Sequence, residues 1–149
     1  MAKNFKITGE AKVIRNLNKL AARAPLGAGA ALFQEAEKVM EASKKSFVPL
    51  DKGPLRTSGL VAKPEIMPLG ASVTLGYGGV AGGNSKEDLA GYAIAIHEHP
   101  SGFSPPSWAG GVNFKRGGPK YLERPLRAAI PGMAARLAVK IRAFIARTV

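Results

Sequence analysis

The chain has no cysteine, so disulfides, thiol catalysis and cysteine-ligated zinc are excluded at the outset. Histidine is nearly as scarce, with two residues, and so are acids, with ten carboxylates against 22 lysines and arginines. No run approaches the roughly 20 apolar residues of a membrane span. The opening Met-Ala-Lys-Asn-Phe-Lys has no apolar core of the length a secretion signal needs. There is no internal repeat, no heptad array and no block of five or six like charges of the kind that marks a nucleic-acid tail. These absences point to a protein made and used in a cytoplasm, or built into something assembled there.

What is present is a chain of 149 residues, 46% hydrophobic, long enough for one domain with a real core. Its net charge of +12 calls for a polyanionic neighbour, nucleic acid or an acidic protein surface.

The residues around Pro49–Leu60 divide the chain. Pro49 has no backbone N–H and disfavours helix at Val48, so a preceding helix must stop there. Asp51 can accept from the Gly53 N–H, and Gly53 can take the positive φ of a tight reversal. Pro54 fixes a further φ, Leu55 is the apolar pin, and Arg56 and Ser58 are free to bond to nearby carboxylates or carbonyls.

Before this corner the pattern is helical. A weak alternation over residues 3–8 suggests an edge strand. Over 9–24, Val13, Ile14, Leu17, Leu20 and Ala21 share a stripe, with Lys12, Arg15, Lys19 and Arg23 outside it. Pro25 is expected to separate this helix from a second over 26–47, whose Gly27-Ala-Gly29 start should fray. In that second helix Leu32, Phe33, Ala36, Val39, Met40, Ser43 and Phe47 form the apolar arc. Glu35, Glu37, Lys38, Glu41, Lys44 and Lys45 fill the other side, with Glu41 and Lys45 spaced for an ion pair.

After the corner the period changes to two. Strands are expected over 61–67, weakened by Pro64, and over 71–77, joined by a Pro68-Leu69-Gly70 turn. A mobile glycine-rich loop over 78–90 leads to a third strand over 91–97, in which Tyr92, Ile94 and Ile96 oppose Ala93, Ala95 and His97. Residues 98–118 have no period, and the scattered Phe103, Trp108 and Phe114 suggest a loop ordered by a partner. The chain closes on helix over 120–149, with breaks expected near Pro125 and at Pro131-Gly132. Leu137, Ile141, Phe144 and Ile145 form its apolar face and Arg136, Lys140 and Arg147 its basic flank. The fold expected is α+β: a small antiparallel sheet of three or four strands packed by the long helix and the C-terminal helix.

Candidate chemistry is sparse. On a strand His97 and His99 would share a face, but a third metal ligand is missing. Ser58, His97 and Glu98 supply the residue types of a triad without a nucleophile elbow to present the serine. The glycines of 76–83 fit neither the dinucleotide fingerprint nor the phosphate loop. No enzyme, metal or cofactor is expected. The flank Arg136, Lys140 and Arg147 reads as a solvated helix face, a surface for DNA phosphates, or a membrane-surface helix.

Two helices, then Pro49-x-Asp51-x-Gly53-x-Leu55-Arg56-x-Ser58, a meander ending in Tyr92-Ala93 and His97-Glu98, and Tyr121-Leu122 opening the last helix: this order resembles the tail-completion (head–tail joining, or neck) proteins of long-tailed bacteriophages, also labelled minor tail or minor capsid proteins. The resemblance runs from about Gly9 into the C-terminal helix. Lys52 and Pro54 depart from the family's usual small residues, and the 98–118 loop is longer than its core requires. The resemblance implies a non-enzymatic virion protein at the head–tail junction or tail top, assembled in the host cytoplasm. It would form a homo-oligomeric ring, a hexamer being one option, contacting connector and tail terminator or tube proteins, with DNA passing through the lumen. The competing reading from charge is a sequence-independent DNA-binding protein of a phage or mobile element.

Overall fold

The computed structural model describes residues 9–49, 53–79, 87–98 and 117–147. The expected edge strand over 3–8, Asp51, His99 and the aromatics Phe103, Trp108 and Phe114 lie outside them.

The spine is α1, Glu10–Ala42, a single helix of 33 residues that runs through Pro25. At 1.5 Å per residue it is about 50 Å long. The expected break at Pro25 is therefore absent. Proline within a helix loses one hydrogen bond and costs about 3 kcal/mol, and each glycine about 1 kcal/mol. Burial offsets these penalties, because Pro25, Gly27, Gly29 and Ala31 are all enclosed by other elements. A Cβ on Gly27 would stand 2.8 Å from Phe144 Cδ1, and one on Gly29 would stand 2.5 Å from Ile66 Cδ1. The expected fraying start is thus the middle of the spine, pared down so that two other elements can press against it.

Five more residues, Ser43–Phe47, continue the spine as a π-helical turn closed by Val48 N–H donating to the Ser43 carbonyl at 2.9 Å. Its wider turn shifts every side chain after Ala42, and the expected Glu41–Lys45 ion pair is not among those of the described residues. Val48 is extended at φ −68°, ψ 129°, as a residue before proline should be.

The corner itself holds a one-turn helix, α2 (Pro54–Thr57), entered through Gly53 at φ 94°. Leu55 is 4% exposed, so it is the pin expected of it. The Ser58 hydroxyl donates to the Leu55 carbonyl at 2.7 Å and accepts from the Gly78 N–H at 3.0 Å, while Arg56 points to solvent. Gly53→Ala puts a Cβ at a left-handed φ and should lower stability by about 1–2 kcal/mol, read as a melting temperature lower by a few degrees in calorimetry.

Four short strands follow: β1 Leu60–Val61, β2 Glu65–Met67, β3 Gly70–Ser72 and β4 Leu75–Gly76. They pair antiparallel as β1 with β4 and β2 with β3, two small sheets rather than one. Leu60 opposes Gly76 and Ile66 opposes Ala71, so the register slips by one residue between the pairs. The extra residue is accommodated around Pro64, in keeping with a proline confined to an edge or bulge. The α+β class and the hairpin turn at Pro68-Leu69 are as the sequence indicates.

The expected third strand is instead a helix, α3, Glu87–Glu98, which also takes residues 87–90 out of the expected loop. Tyr92-Ala-Ile94-Ala-Ile96 satisfies a period of two, but Ala93 and Ile96 also share a helical face. They are 5% and 1% exposed, whereas Ile94 is 61% exposed, which alternation cannot explain. Alanine's helix propensity adds to the helical choice. The C-terminal region begins at α4 (Glu123–Ala129), not at residue 120, and Pro125 falls in its first turn, where a missing N–H is harmless. The break at Pro131-Gly132 is present, with Gly132 at φ 72°, and α5 (Met133–Ala146) then lies along α1. Its expected apolar residues Leu137, Ile141, Phe144 and Ile145 are all half-buried.

Candidate functional site

Three places concentrate polar chemistry or unpaired surface. The first is the core beneath the corner. Met40, Val48, Leu55, Tyr77, Ala93, Ile96 and Tyr121 form one cluster. Ser43 lies within it, fully buried, and its hydroxyl donates to the Tyr121 carbonyl at 2.8 Å. Its single proton being used there, the Tyr77 hydroxyl at 2.8 Å must donate to Ser43 Oγ. Tyr121 OH in turn donates to the Ala93 carbonyl at 2.8 Å. Burial pushes Tyr77 up to about 12, against a smaller opposing effect of the Ser43 bond, and raises Tyr121 for the same first reason. Both phenols stay neutral near pH 7, as donors in a structural network. The residues on which the family resemblance rests therefore converge: Leu55 from the corner, Ala93 from α3 and Tyr121 ahead of α4.

At the rim of this core sits the His97–Glu98 pair. His97 Nδ1 lies 2.8 Å from Glu98 Oε1, and Lys120 Nζ lies 2.5 Å from Glu98 Oε2. Lys120 first and His97 second hold the Glu98 carboxyl below its usual range. The Lys120 N–H donates to the His97 carbonyl at 2.8 Å, and the His97 ring meets Tyr121 edge-on at 5.0 Å. This cluster clasps the end of α3 to the approach of α4. His97 lies on a helix, so the strand geometry expected to align it with His99 is not there. Ser58 has both its proton and a lone pair engaged at the corner. Among the described residues no group of three or more histidines and carboxylates could hold a metal ion.

The second place is a buried charge. Glu35, expected on the solvent side, is 3% exposed. It lies on α1 one turn from Ala31 and Val39, at the edge that α5 covers. Lys140 Nζ reaches Glu35 Oε1 at 2.8 Å, and Arg136 Nε reaches Oε2 at 2.9 Å. Lys38 joins at 3.3 Å. Arg136 also donates to the Ala129 carbonyl at 2.8 Å and the Pro131 carbonyl at 3.0 Å, holding the α4–α5 break. Two of the three residues expected as a basic flank are thus engaged within the fold, and Arg147 alone remains exposed beyond α5. Sequence reading missed this because Glu35 sits at the edge of the apolar arc, next to charged neighbours.

The third is unpaired surface. From Glu10 to Ala22 every residue of α1 is exposed. Val13 is 57% exposed, Ile14 49%, Leu17 57% and Leu20 36%. At 100° per residue their stripe lines up, to within about 40°, with the face that buries Ala31, Glu35 and Val39 farther along. The core-facing side of the spine continues for about four turns, some 22 Å, past the end of its own body. A second bare apolar patch lies on the hairpin, where Ile66 and Met67 are 45% and 47% exposed and Leu69 wholly so. An open groove of about 880 Å³ beside α1 is lined by Phe33, Met40 and Leu60, the acids Glu37 and Glu41, and the cations Lys44, Lys45 and Arg56.

No family model, no curated protein and no solved structure matches the chain. Among the described residues no helix is long and apolar enough to cross a membrane.

Proposed function

We propose that the protein is a structural subunit that assembles with copies of itself through the bare apolar stripe of α1. On its resemblance to tail-completion proteins, it completes the neck or tail top of a long-tailed phage virion. The observation that carries the reading is the overhang. A face of core quality that runs about four turns past the body exposes apolar surface that the described residues leave uncovered. A ring built from a heterologous interface needs two different patches per subunit, and the overhang and the hairpin tip are on different elements. The convergence of Leu55, Ala93 and Tyr121 in one core supports the resemblance from the side of the fold. Connector proteins above and tail terminator or tube proteins below would be the ring's neighbours, and no catalytic step is assigned to it.

Native mass spectrometry and light scattering test this reading. The wild-type chain should form a discrete oligomer. Leu17→Asp should shift it to monomer by at least tenfold in dissociation constant, with the helical far-UV dichroism unchanged because Leu17 is 57% exposed in the single chain. A wild-type chain that stays monomeric at every concentration and in the presence of tail components would overturn it.

A further inference from the structure

The overhang has a second side. Lys12, Arg15 and Lys19, with Arg23 completing the row, fall within about 80° of one another and about 120–160° from the centre of the apolar stripe. Lys12, Arg15 and Lys19 are exposed. Among the described residues no carboxylate lies within ion-pair distance of Lys12, Arg15 or Lys19, and Arg15 makes one weak bond, Nε to the Ala11 carbonyl at 3.3 Å. The only acid on this part of the helix, Glu10, projects from the apolar side.

We propose that this cationic face is a sequence-independent binding surface for the phosphate backbone of duplex DNA. Side-chain chemistry favours a polyphosphate over a protein. A protein interface needs an apolar core, with charges at its rim. Between Ala11 and Arg23 the cationic face offers only Ala11, Ala22, Asn16 and Asn18 around its lysines and arginines, and the large apolar side chains of that stretch lie on the other side. Binding by charge alone, with amides to donate between the charges, is what a phosphate backbone accepts. Lys12 to Arg23 spans about 16 Å, over which a duplex presents roughly ten negative charges. A membrane surface fits less well, since a helix seated on its apolar stripe would point these cations away from the headgroups. The two sides are compatible, the stripe meeting a neighbouring copy while the cations face DNA. The binding goes beyond the assembly reading and fails separately from it.

Fluorescence anisotropy with a mixed-sequence 30-base-pair duplex, repeated across a potassium chloride series, tests the proposal. Changing Lys12, Arg15 and Lys19 together to Gln should flatten the slope of log K against log salt by about 2.7 and weaken binding about a hundredfold or more near 0.1 M salt. Glutamine keeps the helix, so the melting temperature and the oligomer distribution serve as controls for folding and assembly. The matched triple change of Lys45, Lys63 and Arg142 to Gln removes the same charge elsewhere and should leave most of the slope. Equal slopes for the two triple variants would mean diffuse attraction and would overturn the proposal. So would an unchanged slope in the α1 variant, or competition by polyglutamate as effective per charge as DNA. Loss of DNA binding with the oligomer intact supports this surface whatever becomes of the assembly reading. Loss of the wild-type oligomer from the mass spectra with the slope effect intact sinks only the assembly reading.

Discussion

Tyr121→Ala should cost about 4 kcal/mol and leave the chain largely unfolded at 37 °C. Tyr121 is 2% exposed and stands at the meeting point of three elements. Its ring meets Tyr77 edge-on at 5.0 Å and His97 at 5.0 Å, each contact adding to the area it buries. Its hydroxyl holds α3 through the Ala93 carbonyl, and its own carbonyl takes the Ser43 proton from the π-helical turn. Removing the ring opens a cavity and strips Tyr77 and His97 of their partner. Tyr121→Phe isolates the hydroxyl, and its cost should be about 1 kcal/mol. Urea denaturation followed by tryptophan-independent far-UV dichroism separates the two variants. Equal, small losses in both would mean that the ring is not the keystone described.

Glu35 should make the protein acid-labile in a defined window. Lys140 first, then Arg136 and Lys38, hold its carboxyl down at about 2 from an ordinary 4.5, against the opposing effect of burial. A depressed folded-state value means that the carboxylate stabilises the fold fully above the unfolded value near 4.5. That contribution is lost as pH falls from there through about 2. Glu35→Gln abolishes the charge at all pH values and leaves Lys140, Arg136 and Lys38 facing a neutral amide. Breaking a dry buried pair costs 3–5 kcal/mol, but Lys140 and Arg136 are 25% and 41% exposed, so hydration reduces the loss to about 2 kcal/mol. Urea midpoints of wild type and variant should be well apart at pH 6 and converge towards pH 2.5. A gap that does not change with pH would mean the carboxylate is not charged in the fold. Glu98 adds a second acid-sensitive contact at the surface, common to both proteins, so the difference between them reports Glu35 alone.

The same two residues show where sequence was informative. The helical stripe of α1, the corner at Pro49, the positive φ of Gly53, the burial of Leu55 and the break at Pro131-Gly132 are all local in origin, and all are legible. The failures come where a distant element decides. Pro25 reads as a helix end, but it is buried within α1, next to Gly27 against α5 and Gly29 against the hairpin. Glu35 reads as a solvent-facing acid because its partners on α5 are more than a hundred residues away along the chain. Tyr92-Ala-Ile94-Ala-Ile96 fits both periods, and only the packing of Ala93 and Ile96 under Tyr121 chooses helix. The candidate surface was half legible. The stripe and cations of residues 12–23 are plain in the sequence, but the exposure of Val13, Ile14 and Leu17 and of Lys12, Arg15 and Lys19 in the fold is not. Arg136 and Lys140 were equally plain as cations, and the fold spends them on Glu35.

Pro25 also sits where the body of the molecule ends and the overhang begins. Lacking an N–H, it cannot donate to the Ala21 carbonyl, so the spine is softest at that one joint. Beyond it extends a lever of about 22 Å, and a bend of some 10° there would carry the tip through roughly 4 Å. In the proposed ring, subunits joined through such a tip would tolerate small changes in diameter without repacking their cores. Mechanical compliance would then be set by a single missing hydrogen atom.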